Sequence, residues 1–212
     1  MSSSKLGKVL VVDDDPFIRT SLEGALKSSG FEVTGATPNV REALINFREN
    51  AAEIALIDID LGIGPTGIDL AYALRKLDEK VGIIFLTSYL DPRFADSRNN
   101  ALPKGSRYLV KSEIENLAQV ISVVLQTKHK PFNQNINHMN RYQYLTDTQI
   151  EVWRGVAEGL SSSEIAAKRG VSEKAVEAIL ARIYQLLEIK KDRSHNPRIL
   201  LVIAFKRMSG KL

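Results

Sequence analysis

Along residues 6–127 the chain alternates between two hydrophobic rhythms, short apolar runs and segments with apolar positions three and four apart. Lys8–Val12 is a run of the kind carried by a strand buried on both faces. It ends in Asp13-Asp14-Asp15-Pro16, where a carboxylate can cap a helix and proline fits its first position. Phe17, Ile18, Leu22, Ala25 and Leu26 then recur at helical spacing until Gly30. Residues 31–36 predict a second strand, 39–50 a helix, and Ile54–Ile57 a third strand ending at Asp58. A Gly/Pro loop leads into a helix over 68–77, and residues 81–86 predict a fourth strand ending at Thr87-Ser88. Asp91-Pro92 repeats the cap-plus-proline device and predicts another helix. A fifth strand over 108–110 ends at Lys111, and Ser112-Glu113-Ile114-Glu115 predicts a capping box for the last helix of this half.

Five strands separated by five helices predict an α/β doubly wound, five-stranded parallel sheet. Sites in such sheets lie beyond the carboxyl ends of the strands. Those positions hold Asp13, Asp14, Asp15, Asp58, Asp60, Thr87, Ser88 and Lys111. Carboxylates crowded in one crevice repel unless a cation neutralises them, and an oxygen-only donor set favours a hard ion such as Mg2+. Helix capping accounts for Asp15 and Asp91, but it does not call for Asp13, Asp14 and Asp58 together. A carboxylate could attack a phosphoryl group whose oxygens are held by lysine and a hydroxyl.

After residue 127 the apolar rhythm stops, and 128–144 reads as an exposed linker. Leu145-Thr146-Asp147-Thr148-Gln149 opens a helix with a capping box, and Ser161-Ser162-Ser163-Glu164 caps a short one. Gly170-Val171-Ser172 is a tight turn before a long helix reaching about Leu187, the arrangement of a helix-turn-helix. This all-α module is assigned residues 145–212. Charge divides at the same place: residues 1–127 hold 14 Lys/Arg against 17 Asp/Glu, and residues 128–212 hold 15 against 8. An acidic front and a basic back predict different partners, with nucleic acid suited to the second.

Composition narrows the class further. The chain has no cysteine, which removes disulfides, thiolate zinc sites and thiol catalysis. His129, His138 and His195 lack the close pairing of a metal site. No apolar run approaches the ~18 residues of a membrane span, and no signal-peptide core follows Met1, so a soluble cytoplasmic protein is expected.

The motifs Val11-Val12-Asp13-Asp14-Asp15-Pro16, Leu56-Ile57-Asp58, Thr87-Ser88 and Tyr108-Leu109-Val110-Lys111 resemble the flavodoxin-like receiver domain of two-component response regulators over residues 6–127. The resemblance implies that Asp58 accepts a phosphoryl group from a histidine kinase. It implies Mg2+ bound by Asp14 and Asp58, with Asp13 helping through water and Asp60 through its carbonyl. It also implies that Thr87 and Lys111 bind the phosphoryl oxygens and that Tyr108 is an aromatic switch. The loop from Asp58 to Gly67 is one residue longer than the family's usual loop. Two enzyme readings carry less weight. Gly62-Ile-Gly-Pro-Thr-Gly67 spells a dinucleotide fingerprint, but its first glycine stands four residues beyond the strand. Asp58-Ile-Asp60 resembles the paired aspartates of haloacid-dehalogenase-type phosphatases, but follows the third strand rather than the first. No enzymatic turnover is expected.

Residues 145–189 resemble the NarL/LuxR-type DNA-binding domain, through Ala157-Glu158-Gly159-Leu160-Ser161, Glu164-Ile165-Ala166, Gly170-Val171-Ser172-Glu173-Lys174 and Ile183-Tyr184. The order implies a transcription regulator that binds duplex DNA and forms a homodimer when phosphorylated. Two faces could form that dimer: one near the first and fifth helices, the other carrying the fourth helix, fifth strand and fifth helix. On the recognition helix, Val176, Leu180, Ile183 and Leu187 form the apolar stripe, leaving Lys174, Arg182 and Gln185 as donors. Glu177 stands where relatives carry a basic residue. Residues 188–212 hold 7 Lys/Arg against 2 Asp/Glu, so Lys190 and Lys191, with Arg193 and Arg198, are candidates for phosphate contact. The alternative is a signalling or scaffold protein whose helical module binds protein instead of DNA.

Overall fold

The computed structural model describes residues 6–95, 102–129, 144–189 and 196–210. The chain forms two compact units, one of Met1–Ser88 with Leu102–His138, the other of Tyr89–Ala101 with Met139–Leu212.

In the first unit, β1 (Lys8–Val12), β2 (Glu32–Thr37), β3 (Ile54–Ile57), β4 (Gly82–Thr87) and β5 (Arg107–Val110) form one sheet in the order β2-β1-β3-β4-β5, every pairing parallel. The helices are α1 (Pro16–Ser28), α2 (Val40–Asn50), α3 (Gly67–Leu77) and α4 (Leu117–His129). Val9, Val11, Leu56 and Leu86 on one face of the sheet join Leu22 and Leu26 of α1 and Val120 and Val124 of α4 in a continuous buried core. Each such side chain contributes about 1.5–3 kcal/mol when withdrawn from water. The local signals hold where they are strongest. Asp15 accepts from the Phe17 and Ile18 amides with Pro16 in the first helical turn, and Thr66 forms a capping box with Asp69 ahead of α3.

Register then places the site. Val12 pairs with Ile57 and Thr87 with Val110, so Asp13 and Asp58 leave neighbouring strands together and Lys111 follows just past Thr87. The Asp58 amide donates to the Val12 carbonyl at 2.8 Å, extending the ladder by one rung.

Two expected helices differ. Asp91 does cap, accepting from the Arg93 amide, but Pro92–Phe94 is a single 3-10 turn, and residues 96–101 lie outside the described ones. This turn belongs to the second unit, where Phe94 is buried. The capping box expected over 112–115 is not formed, because Lys111–Glu113 is a 3-10 turn. α4 starts at Leu117, where the Asn116 carboxamide accepts from the Gln119 amide.

The helical part of the second unit contains α5 (Asp147–Ala157), α6 (Ser162–Arg169), α7 (Glu173–Leu186) and α8 (Pro197–Met208). Thr146 makes the expected capping box with Gln149, Ser161 caps α6 as expected and does so in a second capping box with Glu164, and Gly170 takes the left-handed conformation, φ 64°, between α6 and α7. A side chain at Gly155 would meet Ile165 at 2.9 Å, so glycine lets α5 and α6 approach closely. α8 adds a helix to those the apolar pattern predicts, with Asn196-Pro197 repeating the device of Asp15-Pro16. Of the linker expected over 128–144, residues 130–143 lie outside the described ones, while Lys128 and His129 belong to α4.

Candidate functional site

Three carboxylates converge at the carboxyl end of the sheet. Asp13, Asp14 and Asp58 each offer an oxygen within 4.8 Å of the others, Asp13 and Asp58 buried and Asp14 exposed. Lys111 reaches across, its Nζ 2.6 Å from Asp58 Oδ2 and 2.8 Å from Asp13 Oδ2. Thr87, fully buried at the end of β4, is hydrogen-bonded to Asp58 through its side chain. The cluster thus holds an acceptor oxygen, two further anionic donors, an ammonium and a hydroxyl in one crevice.

The loops are built to hold it. Asp13 Oδ1 accepts from the Asp15 amide at 3.0 Å, fixing the turn between β1 and α1. Arg19 donates through one nitrogen to the carbonyls of Asp13 at 2.6 Å and Asp14 at 3.0 Å. Sequence reading missed this positioning role, whose only trace is a cation one turn into α1. The longer loop after β3 is accommodated by Gly62 and Gly64, at φ 79° and 128°, with Ile63 exposed at its tip. Gly67 does different work: it lies so near Asp58 that a Cβ would stand 1.9 Å from the Asp58 carbonyl oxygen.

Of the four residues expected around a metal, the structure gathers the carboxylates of Asp13, Asp14 and Asp58. The Asp60 carboxylate instead accepts from the Gly62 amide at 3.4 Å, while its own amide lies 3.3 Å from Asp58 Oδ1. Tyr108 is buried against Phe85, ring centroids 6.5 Å apart. An all-oxygen set with two buried anions suits a hard divalent cation, so the residues present fit Mg2+.

Burial pushes the Asp58 carboxyl above the usual carboxylate range and the Asp13 charge adds to this, against the lowering effects of Lys111 and Thr87. Burial pulls Lys111 down, but the carboxylates of Asp58 and Asp13 outweigh it and raise its pKa. A carboxylate with a raised folded-state pKa costs stability above that pKa, and the cost is relieved as pH falls through it. Asp58→Asn in metal-free buffer is therefore expected to melt a few degrees higher than the parent at neutral pH, the gain shrinking on acidification. Thermal denaturation at several pH values checks this.

In the helical module Lys174, Arg182 and Gln185 are exposed along α7, and Arg182 donates to Gln185 at 3.3 Å. Lys190, Lys191 and Arg193 lie outside the described residues, as do His138 and His195. Arg198 is not a free phosphate contact: it donates to the Leu160 carbonyl and, at 3.4 Å, to Ser162 Oγ. Glu177, though exposed, accepts from Ser162 Oγ and so ties α7 to the first turn of α6.

Comparison with known proteins gives two family matches. Residues 9–122 match the response regulator receiver domain, and residues 143–194 match the bacterial regulatory proteins of the luxR family. A putative transcriptional regulator from Pseudomonas aeruginosa is 29% identical over 84% of this chain and 89% of that protein. The transcriptional regulatory protein TdiR of Thauera aromatica is 28% identical over 90% of this chain and 85% of its own length. Among solved structures, RcsB from Salmonella enterica serovar Typhimurium, bound to the rprA promoter with the phosphomimetic BeF3-, superposes with TM-score 0.56. That match covers 94% of this chain and 98% of RcsB at 19% identity, and at that identity shows the shared fold.

Proposed function

We propose, for a chain that belongs to the response regulator receiver family and carries a luxR-family DNA-binding domain, that a phosphoryl group accepted at Asp58 controls dimerisation and promoter binding. The observation that carries this reading is the reach of Lys111 to Asp58 at 2.6 Å beside the Asp13–Asp14–Asp58 cluster.

The chemistry follows from the residues. An Asp58 oxygen attacks the phosphorus of a phosphohistidine on a kinase; an O–P bond forms as the P–N bond breaks, and imidazole leaves with the electron pair. Lys111 offsets negative charge on the phosphoryl oxygens, and the Thr87 hydroxyl donates to one of them. Asp13, Asp14 and Asp58 would hold Mg2+, with the Asp60 backbone alongside; when bound, the ion supplies charge neutralisation and orientation of the phosphoryl group. Arg19 keeps the Asp13–Asp14 turn in place.

For dimerisation, the face of α1 and α4 is the better candidate of the two. Phe17 is 79% exposed there, beside a cavity of about 390 Å³ lined by Ile18, Leu22, Leu117 and Val120. Sedimentation with beryllium fluoride and Mg2+ is expected to show a dimer, and Phe17→Glu a monomer under the same conditions. A wild-type chain that stays monomeric with the mimic bound contradicts dimer control.

DNA contact is assigned to the exposed face of α7. Lys174→Ala and Arg182→Ala are each expected to weaken binding, most at low salt. Glu177→Lys gains phosphate attraction but loses the Ser162 bond to a charged carboxylate, worth about 1.5–3 kcal/mol, so it is expected to bind more tightly while melting lower. Fluorescence anisotropy on a duplex, paired with melting curves, separates the two effects. Binding unaffected by all three substitutions would favour a protein-binding role for the module.

A further inference from the structure

Glu177 is an exposed acid on α7 with one oxygen already committed. The Ser162 hydroxyl, buried at the first residue of α6, donates to Glu177 Oε1. Behind it, Arg198 of α8 donates to Ser162 Oγ at 3.4 Å and to the Leu160 carbonyl. The guanidinium occupies the acceptor side of the hydroxyl, so the hydroxyl proton is directed to the carboxylate. Glu177 Oε2 has no hydrogen-bond partner among the described residues. On the helix Glu177 lies about 40° from Ala181 and about 60° from Lys174, at the margin of the face that also carries Ala178 and Arg182. Ala178 and Ala181 are exposed and carry only methyl groups, so the axis of α7 can lie close to what it packs on while Glu177 reaches past them.

We infer, on the reading that α7 is the DNA-contacting element, that Glu177 selects cytosine, its Oε2 accepting from the N4 amino group in the major groove. Ser162 and Arg198 are then positioning residues. The choice of base follows from what each edge presents. Guanine offers N7 and O6 and thymine offers O4, all acceptors that repel a carboxylate. Adenine offers an amino group, but with the N7 acceptor beside it. Cytosine presents a donor and no acceptor of its own. A loose acidic side chain would lose rotamer freedom on making this bond, against the repulsion of the phosphates. Here the Ser162 hydroxyl holds the carboxylate before any DNA arrives, so less freedom remains to be lost. Glu177→Lys removes the acceptor as it gains phosphate attraction, so its tighter binding comes with loss of the selected base.

The test is selection by the full chain, with beryllium fluoride and Mg2+, from a pool of duplexes carrying a randomised segment, followed by sequencing of the bound fraction. Wild type is expected to enrich a site in which one position of each half is cytosine, any other base there weakening binding about fivefold or more. Glu177→Ala is expected to lose the preference at that position and keep the others. A mere tie between helices would shift every position together. Glu177→Gln keeps the shape of the side chain and is expected to move the preference to adenine, whose N6 and N7 an amide matches, so the test survives if Glu177→Ala fails to fold. Ser162→Ala is expected to keep cytosine with the preference weakened. If wild type enriches no sequence, α7 as the reading element and the role of Glu177 fall together. A site enriched by wild type and enriched unchanged by a folded Glu177 variant overturns cytosine selection alone. A cytosine preference undiminished in Ser162→Ala overturns the positioning role of Ser162 and Arg198.

Discussion

Asp58→Asn is expected to take up no phosphoryl group from acetyl phosphate and Mg2+, where the parent chain gains one. The amide keeps the size of the carboxylate and part of its hydrogen bonding, so the fold survives, but it is not a competent nucleophile. Neither neighbouring acid is placed to substitute. Asp13 is committed to Lys111 and the Asp15 amide, and Asp14 is exposed at the mouth of the cluster. Lys111→Met should slow incorporation by on the order of 10²-fold, the effect of losing one preorganised charge-stabilising donor. Intact-mass measurement, with lability in hydroxylamine as the mark of an acyl phosphate, reads both variants. Undiminished labelling of Asp58→Asn would place the acceptor elsewhere.

Gly67→Ala is expected to damage stability and phosphoryl acceptance together. Its new methyl carbon would lie 1.9 Å from the Asp58 carbonyl oxygen, 2.8 Å from the Asp58 carbonyl carbon and 2.9 Å from Ile57 Cγ2. Two of these neighbours are backbone, so no rotamer change relieves the overlap. α3 has to move off the end of β3, or Asp58 has to move out of register. Overpacking of this kind costs about 1–3 kcal/mol or more, and here the displaced atoms carry the acceptor. The control is Gly62→Ala, where nothing lies within 4 Å and only the positive φ of 79° is strained. Denaturant unfolding and labelling of the two variants should separate loop strain from displacement of the acceptor.

The parallel sheet was readable because its strands are short apolar runs that end abruptly in charge. Val12 gives way to Asp13, Ile57 to Asp58 and Val110 to Lys111, and those breaks mark both the strand ends and the crevice. Parallel pairing then brings residues from separate motifs together, as Val12 opposite Ile57 does for Asp13 and Asp58. What sequence did not carry was the fate of local signals under tertiary competition. Asp91-Pro92 predicts a helix entry, and its described residues form a 3-10 turn in the other unit, with Phe94 buried and Arg93 paired to Asp91. Asn196-Pro197 makes the same promise and keeps it, because Leu201 and Phe205 of α8 find a core to enter. Arg198 and Glu177 were read by charge alone, whereas their partners, Leu160 and Ser162, come from distant positions that no periodicity links. Arg19 escaped notice for a related reason: it contacts backbone carbonyls, which leave no mark on composition.

The central claim is that the state of Asp58 governs DNA binding by α7, and one measurement bears on it most directly. The full chain is titrated onto a promoter duplex at fixed salt, with and without beryllium fluoride and Mg2+, beside Asp58→Asn under the same two conditions. Wild type is expected to bind about tenfold or more tightly with the mimic, as a coupling of 1–3 kcal/mol allows, and Asp58→Asn to show no difference. Equal affinity of wild type in both conditions, with the mimic bound, would contradict the claim.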